Sequence, residues 1–292
     1  MNLPPESPLF LRFFAYLCKK FDKMKRTVIA LLLSVVTLVA AGQGRITTKR
    51  YRISDFTTKV TKVVMTGNDI MDGALKQEVL EHWRISPFEF CSLSEFETLK
   101  KSANYYFLLV ASSDVSYLTV VKGGSTEGLG SEEVSAIPIG PGGIAMGRET
   151  IFLSAFLEIT QDYILRAMES EKDSYTGFTI YNSNYRKDGR RKRICFCEDD
   201  LSADGAAIKR YMDADMFVRS EEEANRLYLE GSYNTLVSYV VAPAFPKAGD
   251  TCYKMLIDAA TDRLYYYKKH KLKEGEAPGF RNSDLKSLSV AR

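Results

Sequence analysis

The chain has 292 residues, of which 45% are hydrophobic and 26% are charged, a composition that excludes a disordered or fibrous chain and is typical of soluble globular proteins. The formal net charge is +3, but residues 1–42 hold six Lys or Arg and two Asp or Glu, so the rest of the chain carries about −1. A nearly neutral chain lacks the basic excess that binds phosphates, and no nucleic-acid partner is expected.

The beginning of the chain has the pattern of an export signal. Met24-Lys25-Arg26 precedes fourteen uncharged residues, Thr27–Ala40, and small residues follow before Gln43. This order predicts a signal peptide over residues 24–42, with residues 1–23 an over-called start or, alternatively, part of a genuine long leader. A membrane-spanning helix needs about 20 apolar residues, so no retained membrane anchor is expected. The predicted location is the periplasm or the exterior of the cell.

Two stretches of the chain repeat the same order of features. Val63–Val110 and Ile194–Val241 each contain a short apolar run, an Asp-Gly pair, an amphipathic segment, a second apolar run, a Ser-x-x-Glu motif, another amphipathic segment and a third apolar run. A period of this length predicts a duplicated, domain-sized unit. The predicted fold class is α/β, with two tandem, duplicated β-α-β-α-β(β) units that have mixed sheets and are joined by a long connector helix.

Each unit is predicted to contain three strands with helices between them. The apolar runs predict strands at Val63–Met65, Phe88–Phe90 and Tyr105–Val110, and at Ile194–Cys197, Met216–Val218 and Thr235–Val241. Apolar residues at helical spacing predict the first helix of each unit, with Leu75, Val79, Leu80 and Trp83 in one and Ala206, Ala207, Ile208, Tyr211 and Met212 in the other. Ser92 with Glu95, and Ser220 with Glu223, predict capping boxes at the second helix. The third strand of each unit is apolar enough to be central in its sheet.

The segments around the repeats complete the predicted architecture. Expected in chain order are a linker that becomes an edge strand (Gly44–Lys62), a hairpin strand (Val115–Val121), a long loop (Gly123–Gly143), the connector helix (Glu149–Lys172), a strand (Phe178–Tyr181), an exposed loop (Asn182–Lys192) and a hairpin (Tyr253–Ala259 with Arg263–Tyr267). The predicted domains are the leader 1–42, the first unit 43–148, the connector 149–175, the second unit 176–273 and a flexible tail 274–292.

Four cysteines follow the predicted cleavage point, namely Cys91, Cys195, Cys197 and Cys252. An oxidising compartment permits disulfides, and an even number of cysteines is compatible with them. Cys195 and Cys197 lie two apart in a predicted strand and share one face, which does not favour a bond between them. Buried thiols are the favoured interpretation, at least one disulfide is the alternative, and a metal site lacks the ligand spacing it requires.

No catalytic residue, metal site or cofactor is predicted. His82 and His270 are the only histidines, and neither lies near a nucleophile motif, so both are expected to be solvated. The Gly123–Gly143 segment contains no phosphate-binding glycine motif. The sequence therefore leaves enzymatic activity undecided and favours a protein that is not an enzyme.

Two groups of charged residues are candidate ligand-binding or partner-binding positions. The first is the basic run Arg186, Lys187, Arg190, Arg191, Lys192 and Arg193, which can bind an anion but is also typical of a solvated loop. The second is the set of carboxylates after the first strand of each unit, Asp69, Asp72, Asp200 and Asp204. Carboxylates at the carboxyl ends of strands occupy the usual ligand position of open α/β sheets, although helix capping explains them equally well.

The predicted signal peptide, with the stretches Trp83–Phe90 and Asn104–Leu109, resembles uncharacterised exported proteins of Gram-negative envelopes. The strand and helix order is similar, in outline, to small α/β domains of periplasmic assembly factors. Neither resemblance defines a function. The overall prediction is an exported soluble binding or scaffolding module of the cell envelope, with an unknown envelope protein or an anionic ligand as partner and an open oligomeric state. The alternatives are a periplasmic hydrolase with acidic residues in the groove between the units, and a small-ligand or lipid carrier. For the carrier, at least one of Tyr265, Tyr266 and Tyr267 is expected to be exposed.

Overall fold

The computed structural model describes residues 49–124, 133–143 and 147–290, so the predicted leader lies outside the described residues. The first sheet consists of β1 (Val60–Val64), β2 (Phe88–Cys91), β3 (Tyr105–Ser112), β4 (Val115–Lys122) and β5 (Glu133–Pro141). Its strand order is β2-β1-β3-β4-β5. The strands β1, β2 and β3 are parallel, β4 pairs with β3 in antiparallel direction, and β5 pairs with β4 in antiparallel direction.

The second sheet repeats this topology strand for strand. It consists of β6 (Arg193–Cys197), β7 (Met216–Arg219), β8 (Thr235–Val241), β9 (Thr251–Asp258) and β10 (Leu264–Lys271). Its order is β7-β6-β8-β9-β10, with β6, β7 and β8 parallel and β9 and β10 antiparallel. The predicted fold class is confirmed, because the chain forms two tandem α/β units with mixed sheets.

Helices connect the strands and join the two units. They are α1 (Lys49–Arg52), α2 (Asp69–His82), α3 (Leu93–Leu99), α4 (Arg148–Ile151), α5 (Leu153–Glu169), α6 (Glu171–Thr176), α7 (Asn182–Lys187), α8 (Gly205–Tyr211), α9 (Glu221–Leu229) and α10 (Asn282–Val290). Short 3₁₀ turns lie at Phe56–Thr58, Gly177–Tyr181, Gly189–Arg191 and Glu198–Asp200. Among the described residues, no helix is both long and apolar enough to cross a membrane.

The predicted capping motifs begin α3 and α9. Ser92 forms a complete capping box, because its hydroxyl accepts from the Glu95 N–H and the Glu95 carboxylate accepts from the Ser92 N–H. In the second unit, the described contacts include one half of the motif, in which Ser220 accepts from the Glu223 N–H at 3.3 Å. The prediction of two complete boxes was therefore half correct, although both serines begin a helix at equivalent places.

The connector helix α5 lies in a hydrophobic core that both units share. Its buried side includes Phe156, Ile159 and Tyr163, which pack with residues of both sheets. The predicted single helix is interrupted at Phe152, which is fully buried and stacks on Tyr228 with 3.9 Å between ring centroids. Aromatic stacking of this kind adds to the free energy gained by burial. The two units are thus held together by one continuous apolar interior.

The strand registers define which residues of the two units correspond. In the first unit Thr61 pairs with Tyr106, and in the second unit Ile194 pairs with Leu236. Thr61 also pairs with the first residue of β2, and Ile194 with the first residue of β7. Position 61 therefore corresponds to position 194, and position 106 to position 236.

The two sheets present opposite faces to the shared core. Val63 of β1 lies in the shared core, whereas Phe196, its equivalent in β6, lies in a separate core on the outer side of the second sheet. Conversely, Cys195 faces the shared core and its equivalent Lys62 does not. The first helix of the first unit, α2, packs inside, whereas its equivalent α8 packs outside. The units are stacked front to back, which is a heterologous arrangement.

Several predicted elements were wrong. The segment predicted as a long loop contains β5, whose Pro138 and Pro141 are tolerated because β5 is an edge strand. The segment predicted as a linker and edge strand contains α1 and the start of β1, which lies inside the sheet. Phe178–Tyr181 belongs to a 3₁₀ turn, because Gly177 begins it with a positive φ of 66°. The predicted exposed loop after it forms α7, with Tyr185 buried.

The end of the chain also differs from its prediction. Residues 274–290 are not a flexible tail, because α10 packs against the outer face of the second sheet through Leu285 and Leu288. Tyr265, Tyr266 and Tyr267 are all buried. The first two belong to the same outer core as Leu285 and Leu288 of α10. Leu80, expected on the apolar side of α2, is 60% exposed.

Candidate functional site

The carboxyl edges of the parallel strands are the first place to look for a site in each unit. In open α/β sheets, ligands bind at this edge where connections leave toward opposite faces. Both units have this geometry, since α2 and α3 lie on opposite faces of the first sheet and α8 and α9 on opposite faces of the second. The duplication therefore creates two equivalent edges, and their contents differ.

Arg148 fills the edge of the second sheet. Its guanidinium donates from Nη1 to both carboxylate oxygens of Asp200, at 3.1 and 3.0 Å, and from Nη2 to the Ser238 carbonyl at 2.9 Å. Nε donates to Asn225 Oδ1 at 2.9 Å. The guanidinium also lies over the ring of Tyr239, 5.0 Å from its centroid. Every nitrogen of the guanidinium therefore has a partner within the protein.

Asp200 is held on its other side as well. Ser238 Oγ donates to Asp200 Oδ2 at 2.6 Å and accepts from the Cys197 N–H at 2.9 Å. This network joins the connector to β6 and β8. A buried ion pair is stable only when its remaining hydrogen-bonding groups are satisfied, and here they are.

The equivalent edge of the first sheet is open. It contains a cavity of about 330 Å³, which lies within the range of small-molecule sites. Apolar side chains form most of its wall, among them Val64, Met65, Met71, Phe96, Leu109 and Val110. Its polar groups are few, namely Thr66, Asn68, Ser112, Ser116 and Glu149. We refer to this space as the edge cavity.

A braced turn shapes one side of the edge cavity. Gly67 has a positive φ of 81°, which permits the chain to turn sharply from β1 into α2. Asp72 accepts from the Thr66 N–H at 2.7 Å and from the Gly67 N–H at 3.0 Å. Asn68 caps α2 by accepting from the N–H groups of the next turn. The turn is thus rigidly attached to the helix that follows it.

Glu149 is the charged residue of the edge cavity. It follows Arg148 directly, so adjacent residues of α4 serve the edges of different sheets. Its side chain is only 6% exposed. Gly140 and Gly147 lie beside the carboxylate, since a Cβ at either position would come into van der Waals contact with Oε2, at 3.4 Å. In the described part of the chain, no residue forms a hydrogen bond or an ion pair with this carboxylate.

The predicted carboxylates have local partners. Asp72 braces the turn before α2, and Asp204 caps α8 by accepting from the Ala207 N–H at 2.7 Å. Asp200 is paired with Arg148. Asp69 is exposed in the first turn of α2. None of the four lines the edge cavity, although Asp69 and Asp72 flank residues that do.

The predicted basic run lies at the amino end of β6, on the opposite edge of the second sheet. Lys192 pairs with Asp258 at 2.7 Å, and the Arg193 guanidinium lies 4.8 Å from the centroid of the Phe217 ring. The remaining members are exposed, namely Arg186, Lys187, Arg190 and Arg191. The structure does not bring the run together with the predicted carboxylates of the first unit, and its binding role stays a prediction.

A second group of titratable side chains lies in the groove between α2, α5 and the β9–β10 turn. His82 Nε2 is 3.3 Å from Glu78 Oε2, and its Nδ1 is 3.5 Å from Glu158 Oε1. Glu81 is close to both residues of α2, and these three could share a metal ion. Asp262 borders the groove and accepts from Tyr228 Oη at 2.5 Å. Burial raises the pKa of both Glu78 and Asp262.

The described cysteines are free and buried, as the favoured interpretation expected. Burial raises the pKa of Cys195 to about 11, so its thiol is protonated and unreactive at neutral pH. His270 was expected to be solvated, but its side chain is only 9% exposed in β10. Burial, and then the charges of Lys254 and Arg281, lower its pKa to about 4.

Sequence reasoning missed the residues of the edge cavity. The repeat pointed to the carboxyl edges, but it could not show that Arg148 and Glu149 come from the connector to meet them. Adjacent opposite charges at the start of a helix resemble an ordinary solvated pair. In the comparisons with known proteins, no protein-family model, no curated protein and no solved structure matches the chain.

Proposed function

We propose that the protein is a binding module that holds a small, largely apolar ligand in the edge cavity of its first unit. The observation that carries the proposal is the contrast between the two equivalent edges. One is filled by a fully bonded arginine, and the other is an apolar space with few polar groups. If stability of the fold were the only requirement, both edges would be expected to be filled, because side chains around an empty apolar space lose packing contacts.

The composition of the cavity wall supports this function. Apolar walls supply most of the binding free energy for small ligands, and a few polar groups define their orientation. Met65 and Met71 have flexible, polarisable side chains that adapt to different ligand shapes. In this proposal the second unit supports the first, and the connector ties the two together.

The binding can be tested with methyl signals of methionine. Met65 and Met71 line the edge cavity, whereas Met216 and Met255 are buried in the second sheet and serve as internal references. With ¹³C-methyl methionine, a set of small amines, alcohols and carboxylates is expected to shift the first two signals and leave the others in place. If no compound moves Met65 or Met71 selectively, the cavity does not bind ligands of this kind.

A matched pair of variants tests whether the shifts of the Met65 and Met71 signals come from binding in the edge cavity. Val110 lines the cavity, and the strand registers make Val240 its equivalent in β8. Val110→Trp fills the cavity and is expected to abolish the shifts. Val240→Trp adds the same side chain to the second unit and is expected to leave them intact.

The place of action is part of the proposal. The leader pattern over residues 24–42 supports export to the periplasm or the exterior, with the mature chain beginning at Gln43. An intact mass of the soluble envelope fraction that begins at Gln43 is expected. A mass that retains the leader in membranes would contradict export.

A scaffolding protein would bind another protein, in place of a small ligand, at the same edge of the first sheet. Leu93, on the first turn of α3, lines the cavity, and Ile70, on the first turn of α2, is next to the lining residue Met71; they are 58% and 67% exposed. Exposed apolar residues beside a pocket favour contact with another molecule. Crosslinking in envelope extract is expected to trap a partner that Ile70→Ser with Leu93→Ser loses.

A hydrolase is the second candidate function. It is favoured by the groove of Glu78, His82, Glu158 and Asp262, because clustered carboxylates with raised pKa are common at catalytic sites. Glu78→Gln and Asp262→Asn would abolish any hydrolysis of chromogenic esters, phosphates or glycosides that this groove performs. Activity that survives both substitutions would exclude the groove as its source.

A further inference from the structure

The Glu149 carboxylate limits the kind of ligand that the edge cavity can hold. The side chain is 94% buried, and it borders a wall formed chiefly by apolar residues. Moving an ionised carboxylate out of water is costly unless a hydrogen bond or an opposite charge replaces the lost hydration. In the described part of the chain, the adjacent cation Arg148 is fully used by Asp200, Asn225 and Ser238.

Most hydrogen-bonding atoms of the other polar side chains of the cavity are engaged within the protein. The Ser112 and Ser116 hydroxyls are 3.0 Å apart, and Ser116 Oγ also donates to the Pro141 carbonyl at 3.2 Å. Asn68 Oδ1 accepts from the N–H groups of Ile70 and Met71. Thr66 Oγ1 donates to Asp72 at 2.7 Å. Asn68 Nδ2 keeps free donor capacity, so Glu149 is distinguished by its charge: it is the charged group of the wall, and its carboxylate has no partner among the described residues.

We infer that the edge cavity recognises a ligand with a cationic head group, a primary ammonium on an apolar body, which forms an ion pair with Glu149. This inference rests on the proposed binding function. The charged hydrogen bond supplies the partner that the carboxylate lacks, and the apolar body packs against Met65, Met71 and Phe96. An anionic ligand, which the basic run suggested, would bring a like charge beside Glu149 and is disfavoured here.

The test compares compounds that share a carbon skeleton and differ in charge. Phenethylamine and n-hexylamine are the cations, phenethyl alcohol and n-hexanol the neutral analogues, and phenylacetate and n-hexanoate the anions. Binding to the protein expressed from the full reading frame is measured by calorimetry at pH 7.5 and by the Met65 and Met71 methyl signals. Each amine is expected to bind about ten-fold more tightly than its alcohol, and the anions most weakly.

Variants separate the charge from the shape of the site. Glu149→Gln is expected to weaken amine binding about ten-fold and to leave alcohol binding within about two-fold. Glu149→Asp keeps the charge and retains the preference for amines. Glu169→Gln removes an exposed carboxylate of α5 and is a matched control without effect. Unchanged Met255 signals verify that each variant is folded.

The outcomes distinguish this inference from the function on which it rests. If the alcohols bind as tightly as the amines, or if Glu149→Gln leaves amine binding unchanged, the cationic head group is wrong while the binding function stands. A preference for the neutral compounds would likewise overturn the cationic head group. If none of the six compounds shifts Met65 or Met71, the binding function fails together with the inference.

Discussion

The Arg148 guanidinium lies 3.0 Å from the Asp200 carboxylate and joins the connector to the carboxyl edge of the second sheet. Both side chains are nearly buried, with exposed fractions of 11% and 4%. The next residue, Glu149, borders the open edge of the first sheet. Of these two adjacent residues, Arg148 occupies the edge of the second sheet and Glu149 provides a charge at the edge of the first.

Replacing Arg148 by methionine is expected to destabilise the protein by about 3 kcal/mol, because it leaves the Asp200 carboxylate buried without its cation. The measurement is the free energy of unfolding in urea. The double variant Arg148→Met with Asp200→Asn removes the isolated charge and is expected to recover part of the loss. A single variant that loses less than about 1 kcal/mol would show that the pair contributes little.

Asp284 attaches α10 to the second sheet. It pairs with Lys254, and both side chains are fully buried, while Lys268 lies 2.6 Å from its other oxygen. Asp284→Asn is expected to destabilise the protein by about 3 kcal/mol, because it leaves the Lys254 ammonium buried without a counter-charge. Urea unfolding and proteolysis at the chain end measure the effect. Glu274→Gln, at an exposed carboxylate nearby, should change neither result.

His270 is expected to make stability fall as the pH is lowered from 7.5 to 5. Its pKa is about 4 in the folded protein and about 6.5 when unfolded, so the unfolded chain binds the proton between these values. The neutral form therefore favours folding above pH 6.5, and about 2 kcal/mol of this contribution is lost by pH 5.

The pH effect is assigned by comparing the protein with His270→Asn. Urea midpoints at pH 7.5 and 5 should differ less in the variant than in the unsubstituted protein. The interval from pH 7.5 to 5 lies above the range in which Asp284 takes up a proton. The pKa of Asp284 is lowered from 3.8 in the folded protein, so the stability that this carboxylate contributes is lost only below that pH. Equal pH dependence in both proteins would assign the effect to other groups.

The described cysteines are expected to be unreactive while the protein is folded. Cys91, Cys195, Cys197 and Cys252 are buried and free, and burial raises the pKa of each thiol. Ellman's reagent should label them slowly in the native protein and completely in denaturant. An intact mass that rises on reduction would instead reveal a disulfide and contradict the free thiols.

The sequence by itself determined the repeated unit and most of its strands. Short apolar runs bounded by polar residues identified β6 and β8, and the Ser92 and Ser220 motifs marked equivalent helix starts. These features depend on neighbours close in the chain, such as a side chain that satisfies the N–H three residues later. They are therefore readable without knowing the fold.

Other elements depended on partners far along the chain. The segment that contains β5 has the glycines and prolines of a loop, yet it pairs with β4 as an edge strand. The charged tail forms α10, and the ion pair between Asp284 of this helix and Lys254 of β9 attaches it to the second sheet. Local composition could not predict either result, since the stabilising contacts come from elsewhere.

Only the tertiary structure decided which faces of the two units meet and where the cavity lies. Front-to-back stacking puts Val63 in the shared core and its equivalent Phe196 in the outer core of the second sheet. Equivalent positions therefore have different surroundings, and few of them hold the same amino acid. The local pattern does not reveal this arrangement, because β6 has apolar residues on both faces and can be buried on either one. The same stacking brings Arg148 to the edge of the second sheet and Glu149 to the cavity at the edge of the first sheet.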